Sequence, residues 1–323
     1  MRAILNAIWR KPVNCSAAIT ESKNGVPTME YKEFLVLAAL EAANGHALTQ
    51  RQLAEKCGLS AGSVNSVIAT ATENGWVVSG ALTDKGVAAL EPYRVKRAVF
   101  IAAGFGSRLV PITLNTPKPL VRVHGKRIID SLLDAVQAAG IEEVYVVRGY
   151  LGEQFDQLLY KYPNIKFIEN PMYNEANNIS SLMAARYLLS NAYVIESDLL
   201  VSNPNLIQKY QYRSNYLGIP MERSDDWCFD VKRDVIQRVQ VGGEGGVWQM
   251  VGISYWTEED GKKLVDDLPA VYGQPGGKER YWDEVPLTYC AKNYDVYVRE
   301  CSQDDIVEID TFKELQRIDS AYL

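Results

Sequence analysis

An apolar run, RAVFIAAG, enters a glycine-bearing turn at Gly104, and from there the chain alternates apolar strands with amphipathic helices. RIIDSLLDAVQAAG has apolar residues at helical spacing and stops on Gly140, and EEVYVVRG reads as a second strand. LGEQFDQLLYKY follows as a helix, IKFIEN as a strand, NISSLMAARYLL as a helix and AYVIESD as another strand. Alternation at this spacing requires right-handed crossovers, so it predicts a Rossmann-like α/β domain with a mostly parallel mixed sheet. After Asp198 the pattern loosens into β-like stretches such as GVWQMVGISYW and NYDVYVRE, which extend the sheet.

Ahead of this domain, assigned to residues 95–323, the pattern becomes helical from Met29. EYKEFLVLAALEAANG is a helix ending on Asn-Gly, and Thr49 caps a second helix that runs to Lys56. Gly58 makes the turn into a third helix, begun at Ser60 or Ser63 and closed at Asn74-Gly75. WVVSGALTDKGVAAL then supplies a two-stranded wing and a closing helix, so residues 29–94 resemble a small winged helix-turn-helix domain. Residues 1–28 are assigned as a tail or linker, with NGVPT as its turn.

Charge sets limits on partners. Between residues 29 and 92 four basic side chains face seven acidic ones, a net of −3, and the recognition-helix segment 60–74 has no Lys or Arg. Phosphate neutralisation supplies most DNA affinity, so nucleic acid is not the expected partner of this unit. A regulatory, dimerising or structural role is expected, with a second copy of the chain, in a homodimer, among the expected partners. No apolar run approaches the roughly 18 residues of a membrane span, and the chain reads as cytoplasmic. The five cysteines are scattered without a CxxC, and the two histidines, His46 and His124, lie far apart. Zinc sites and Ser–His–Asp hydrolysis are thereby disfavoured, leaving carboxylates, Lys, Arg and backbone amides to carry any chemistry.

The turn after the first strand reads AAGFGSRL. A dinucleotide fingerprint wants a small residue where Leu109 stands, and a P-loop wants a GK[ST] that does not follow. The loop instead continues VPITLNTPKPL, in which Pro117 and Pro119 stiffen the chain around Lys118 while Arg108 offers a forked cation. AAGFGSRLVPITLNTPKPL resembles the signature of the sugar-phosphate nucleotidyltransferase superfamily, and in particular bacterial CTP:phosphocholine cytidylyltransferases. GYLGEQF, YNEANNISSL, YVIESD, DDW, GISYW, RYWDE and EIDT carry the likeness to the C-terminal end.

The resemblance implies an enzyme that transfers CMP from CTP to phosphocholine, giving CDP-choline and pyrophosphate with Mg²⁺ as cofactor. It places Ala103, Gly104, Gly106 and Ser107 along the triphosphate, Arg108 at the β- and γ-phosphates and Lys118 at the α-phosphate. Asp198 and Asp310 are implied as the Mg²⁺ ligands, and Lys118, Arg108 and Asp198 as the catalytic set. Read without the resemblance, an Asp in the place of Asp198 after a strand is a turn residue or helix cap, and Asp310 the N-cap of the TFKELQRI helix. Gly149, Tyr150, Asn177, Asn178 and Ser180 fall where the family reads the pyrimidine base, although Asn178 also suits a helix cap.

Trp227, Tyr255, Trp256, Tyr281 and Trp282 recur beside Asp225, Asp226, Asp283 and Glu284. A quaternary ammonium is recognised by aromatic faces and nearby negative charge, so Trp227, Tyr281, Trp282 and Asp283 are the expected acceptor site, with at least two of the aromatics going to the core. Phosphoethanolamine, 2-aminoethylphosphonate and a sugar 1-phosphate are the alternative acceptors. A winged-helix regulator that senses a nucleotide or choline metabolite is the alternative of another class.

Overall fold

The computed structural model describes residues 29–323, so the N-terminal tail assignment and Cys15 lie outside the described residues. Two compact units divide between Ala89 and Leu90. In the first, helix α1 (Tyr31–Ala42) precedes α2 (Gln50–Cys57), which Thr49 caps in a reciprocal box with Gln52. Gly58, in the left-handed conformation, ends α2, and Ser60 caps α3 (Ala61–Glu73). The wing is β1 (Val77–Val78) against β2 (Ala81–Leu82), and α4 (Asp84–Leu90) closes the unit. Phe34, Leu37, Leu53, Val64 and Val67 are buried in this unit. The winged-helix expectation is met.

The second unit opens with β3 (Arg97–Ala102), whose residues alternate between two cores. Ala98, Phe100 and Ala102 share one core with Leu132, Leu133 and Val136 of α5 (Ile128–Ala138). Val99 joins the other, with Leu182 of α6 (Ile179–Ala185) and Leu264 and Leu268 of α7 (Glu258–Tyr272). Burial on both faces is what a central parallel strand requires. A small hairpin, β4 (Arg122–Val123) and β5 (Lys126–Arg127), precedes α5. Then come β6 (Glu143–Arg148), β7 (Ile165–Glu169), β8 (Ala192–Glu196) and β9 (Leu199–Val201). The segment expected as a helix after β6 is instead a 3₁₀ stretch, Gly152–Tyr160.

The loosely patterned region is a long bent hairpin of β10 (Asn215–Lys232) and β11 (Val235–Trp256), turning at Arg233 and Asp234, both at positive φ. After it come β12 (Tyr297–Glu300), β13 (Ile306–Glu308) and α8 (Phe312–Ile318). The main sheet has seven strands in the order β10-β12-β11-β8-β3-β6-β7, and β13 pairs only with β9 in a side sheet. Strands β8, β3, β6 and β7 are mutually parallel, whereas β11 runs antiparallel to β8. The chain leaves β3 toward β6 and later returns on its other side at β8. That reversal opens a crevice at the carboxyl ends of β3 and β8, the ligand position of open α/β sheets.

Candidate active site

A cavity of about 580 Å³ fills this crevice. Its cationic side belongs to the 104–118 loop. Gly106 sits at φ +68°, and a Cβ there would stand 3.0 Å from the Cβ of Lys118, so the turn needs glycine for both its torsion and its packing. Thr113 Oγ1 donates to the Gly106 carbonyl, the Tyr150 hydroxyl lies within hydrogen-bond distance of the Thr113 and Leu114 carbonyls, and Gln154 Nε2 donates to the Asn115 carbonyl. The loop is therefore braced from inside and outside.

So held, Lys118 is 8% exposed, and its ammonium lies 2.8 Å from Asp198 Oδ2 and 3.2 Å from Asp310 Oδ1. Burial lowers its pKa, but the two carboxylates more than offset this and the net shift is upward, so it stays charged. Arg108 grips Asp310 with both terminal nitrogens, at 2.9 Å and 2.8 Å.

Two short motifs build the acidic side. Glu196 closes β8 with Asp198 in the turn after it, Glu308 closes β13 with Asp310 just after it, and all four line the cavity. Carboxylate oxygens of Asp198, Glu308 and Asp310 come within 4.8 Å of one another. Burial, with Asp198 and Asp310 close by, pushes Glu308 up to about 8. Burial likewise raises Glu196 well above the usual carboxylate range, helped by Asp198 and Asp283. Asp198 Oδ1 is buried with no hydrogen-bond partner. An orphaned carboxylate oxygen beside two further carboxylates is a hard-oxygen donor set, which suits Mg²⁺. The N-cap of α8 is Thr311, whose Oγ1 accepts from the Glu314 amide, so the Asp310 carboxylate is turned to the cavity and not to the helix.

Of the expected nucleotide residues, Gly104, Gly106, Ser107, Asn177 and Asn178 line the cavity. Ala103, Gly149, Tyr150 and Ser180 do not. The Ala103 carbonyl accepts from the Tyr150 amide, and the Tyr150 ring meets Phe105 edge-on at 4.7 Å. Gly149 packs against Tyr173, where a Cβ would come within 2.6 Å of the ring's own Cβ. Ser180 is buried, its hydroxyl donating to the Asn177 carbonyl and accepting from Asn170 Nδ2. These residues shape the walls instead of facing the lumen. Asn178 makes no side-chain cap: its Oδ1 accepts from the Trp282 amide and its Nδ2 reaches Glu196 at 3.5 Å.

At the far end Trp227 and Tyr281 meet edge-on at 5.7 Å, with Asp226, Met250 and Asp283 beside them in the cavity wall. Burial pushes Asp283 up to about 7. Trp282 does not join them. It is fully buried, stacked on Tyr216 at 6.3 Å and edge-on to Trp256 at 5.8 Å. In the run RYWDE, Tyr281 faces the cavity while the larger, less polar indole goes to the core, so the expectation for Trp282 is corrected. Glu196 and Glu308, by contrast, were not anticipated from the sequence. Their signal lies in the two E-x-D motifs, where each glutamate stands two residues before Asp198 or Asp310.

Nucleotide-sized space, clustered carboxylates and braced cations at a sheet switch point together define the class, and the comparisons agree. Residues 97–216 match the nucleotidyl transferase family and residues 24–85 the MarR family. A 2-aminoethylphosphonate cytidylyltransferase of Lancefieldella rimae is 36% identical over 70% of this chain and 93% of its own length. A choline-phosphate cytidylyltransferase of Streptococcus pneumoniae is 32% identical over 69% of this chain and 96% of its own. The solved structure of CTP:phosphocholine cytidylyltransferase from Streptococcus pneumoniae superposes with a TM-score of 0.64 at 31% identity, covering 71% of this chain and all of that one. The chain belongs to the nucleotidyl transferase family, as an enzyme joined to a MarR-like winged-helix unit. No helix among the described residues is long and apolar enough to cross a membrane.

Proposed function

We propose that this enzyme transfers CMP from CTP to a small zwitterionic acceptor with a phosphate or phosphonate at one end and an ammonium at the other. The carrying observation is that one cavity joins Arg108 and Lys118 to an aromatic and acidic end made by Trp227, Tyr281 and Asp283. A carboxylate-rich wall against two cations repels a second anionic group on the acceptor and attracts a positive one.

In the reaction an acceptor oxygen attacks the α-phosphorus and forms the new P–O bond. The bond from that phosphorus to the bridging oxygen breaks, and pyrophosphate leaves with the electron pair. A dianionic acceptor needs no general base. Lys118 and Arg108 bind and orient the phosphates and neutralise charge that builds on them. Asp198 and Asp310, with Glu308, would hold Mg²⁺, which supplies further charge neutralisation at the phosphates when bound.

Two kinds of acceptor fit the ammonium end for different reasons. The Trp227–Tyr281 pair offers aromatic faces to the quaternary ammonium of phosphocholine. Glu196 and Asp283 offer hydrogen-bond acceptors to a primary ammonium, as in 2-aminoethylphosphonate or phosphoethanolamine. Pyrophosphate release with CTP, Mg²⁺ and each of these, against glucose 1-phosphate, tests the reading. Turnover confined to the ammonium acceptors is expected. Preference for the sugar phosphate, or no turnover with any acceptor, sinks it.

A further inference from the structure

Beside the main cavity lies a second chamber of about 350 Å³, between β9, β13 and the β10–β11 hairpin. The two spaces adjoin along Asp226, Met250, Glu308 and Asp310, which line both. The position of this border is informative. Glu308 and Asp310 belong to the carboxylate cluster at the reacting phosphates, whereas Asp226 and Met250 belong to the acceptor end. The chamber therefore flanks the middle of an acceptor lying between the two ends, not its ammonium tip.

We infer that this chamber is a subsite for a neutral, hydrogen-bonding branch on the acceptor's carbon chain; the inference rests on the acceptor reading above. Its interior sets the chemistry. Leu199, Ile219, Val251 and Ile306 are buried and supply apolar surface, which a branch covers favourably on leaving water. Gln249, cross-strand partner of Ile219, and Gln303 add side-chain amides that both donate and accept. Asp226, Asp310 and Glu314 add carboxylates to the rest of the lining. A carboxylate branch entering this field meets like charge and loses its hydration, whereas a carboxamide or hydroxyl finds partners without that cost.

The test is a series that differs only in the branch: phosphoethanolamine, O-phosphoserinamide and O-phosphoserine, each assayed by pyrophosphate release. Wild-type kcat/KM for the amide is expected within about threefold of the unbranched compound, and for the carboxylate at least about tenfold lower. Filling the chamber with Gln249→Trp, or with Ile219→Phe should the first variant fold poorly, is expected to cost the amide about tenfold or more and the unbranched acceptor less than about twofold. Rejection of both branched acceptors by wild type, or equal losses for branched and unbranched acceptors in a folded variant, overturns the inference. Turnover of phosphoethanolamine alone thus defeats only the chamber. Should no acceptor turn over, the acceptor reading itself fails, and calorimetric binding of phosphoserinamide to wild type and Gln249→Trp, with a non-hydrolysable CTP analogue bound, still decides the chamber. Equal affinity in the two proteins overturns it.

Discussion

At the scale of single residues, opposite charges are held together along one cavity. Lys118 pairs with Asp198 and Asp310 from a nearly buried position, so its ammonium is fixed in place without any ligand. A preorganised cation costs no reorganisation at the moment of reaction. Lys118→Ala is therefore expected to lower kcat by roughly a hundredfold or more while leaving the circular dichroism spectrum unchanged. Turnover near that of wild type removes Lys118 from the mechanism. Asp283 makes a pH-dependent contribution of definite sign. Its pKa rises from 3.8 to about 7 on folding, so the folded protein binds the extra proton between those values. Stability then falls as pH rises through that window and stays lower above it. Without nucleotide or divalent cation, the melting temperature is expected to drop from about pH 5 to about pH 8, and less steeply in Asp283→Asn. An unchanged slope in that variant shows that Asp283 is not responsible.

At the scale of elements, the 104–118 loop carries the reading furthest and also shows where the sequence runs out. Its glycines, prolines and cations were legible because each answers a local demand of torsion, stiffness or charge. Tyr150 was not, because its hydroxyl reaches carbonyls 36 and 37 residues away in sequence. It stood among the base-reading residues, whereas its hydroxyl braces the loop that carries Arg108 and Lys118. Tyr150→Phe is accordingly expected to raise the KM for CTP several-fold and lower kcat modestly, with the preference for CTP over UTP kept. Loss of that preference returns Tyr150 to the base. The winged-helix elements and the β3–α5–β6 alternation were legible from caps and periodicity, since those signals are local. The bent β10–β11 hairpin was not, because its register depends on bulges and on pairing with distant β12. Trp282 failed for a related reason: neighbouring aromatics in one short run face opposite ways, and only tertiary packing selects which goes inward.

At the scale of the whole molecule, the two halves of the carboxylate cluster rest on scaffolds of unequal strength. Asp198 follows β8, which lies inside the seven-stranded sheet, whereas Glu308 and Asp310 sit on and just after β13, which pairs three residues with β9 outside that sheet. A small core of Leu109, Val121, Ile128, Ile309 and Leu315 holds this side piece down. Segments with few cooperative partners open far more often than a central sheet does. The Ile309 amide, which donates to the Asp198 carbonyl at 3.2 Å, reports on that opening. Its hydrogen–deuterium exchange is expected to outpace that of the β3 amides and to slow when CTP and Mg²⁺ bind together. Equal protection of Ile309 and β3 without ligand means that the molecule breathes as one piece. The expected alternative is a chain that keeps its main sheet intact while the carboxylate site comes apart and reassembles, with CTP and Mg²⁺ as its clasp.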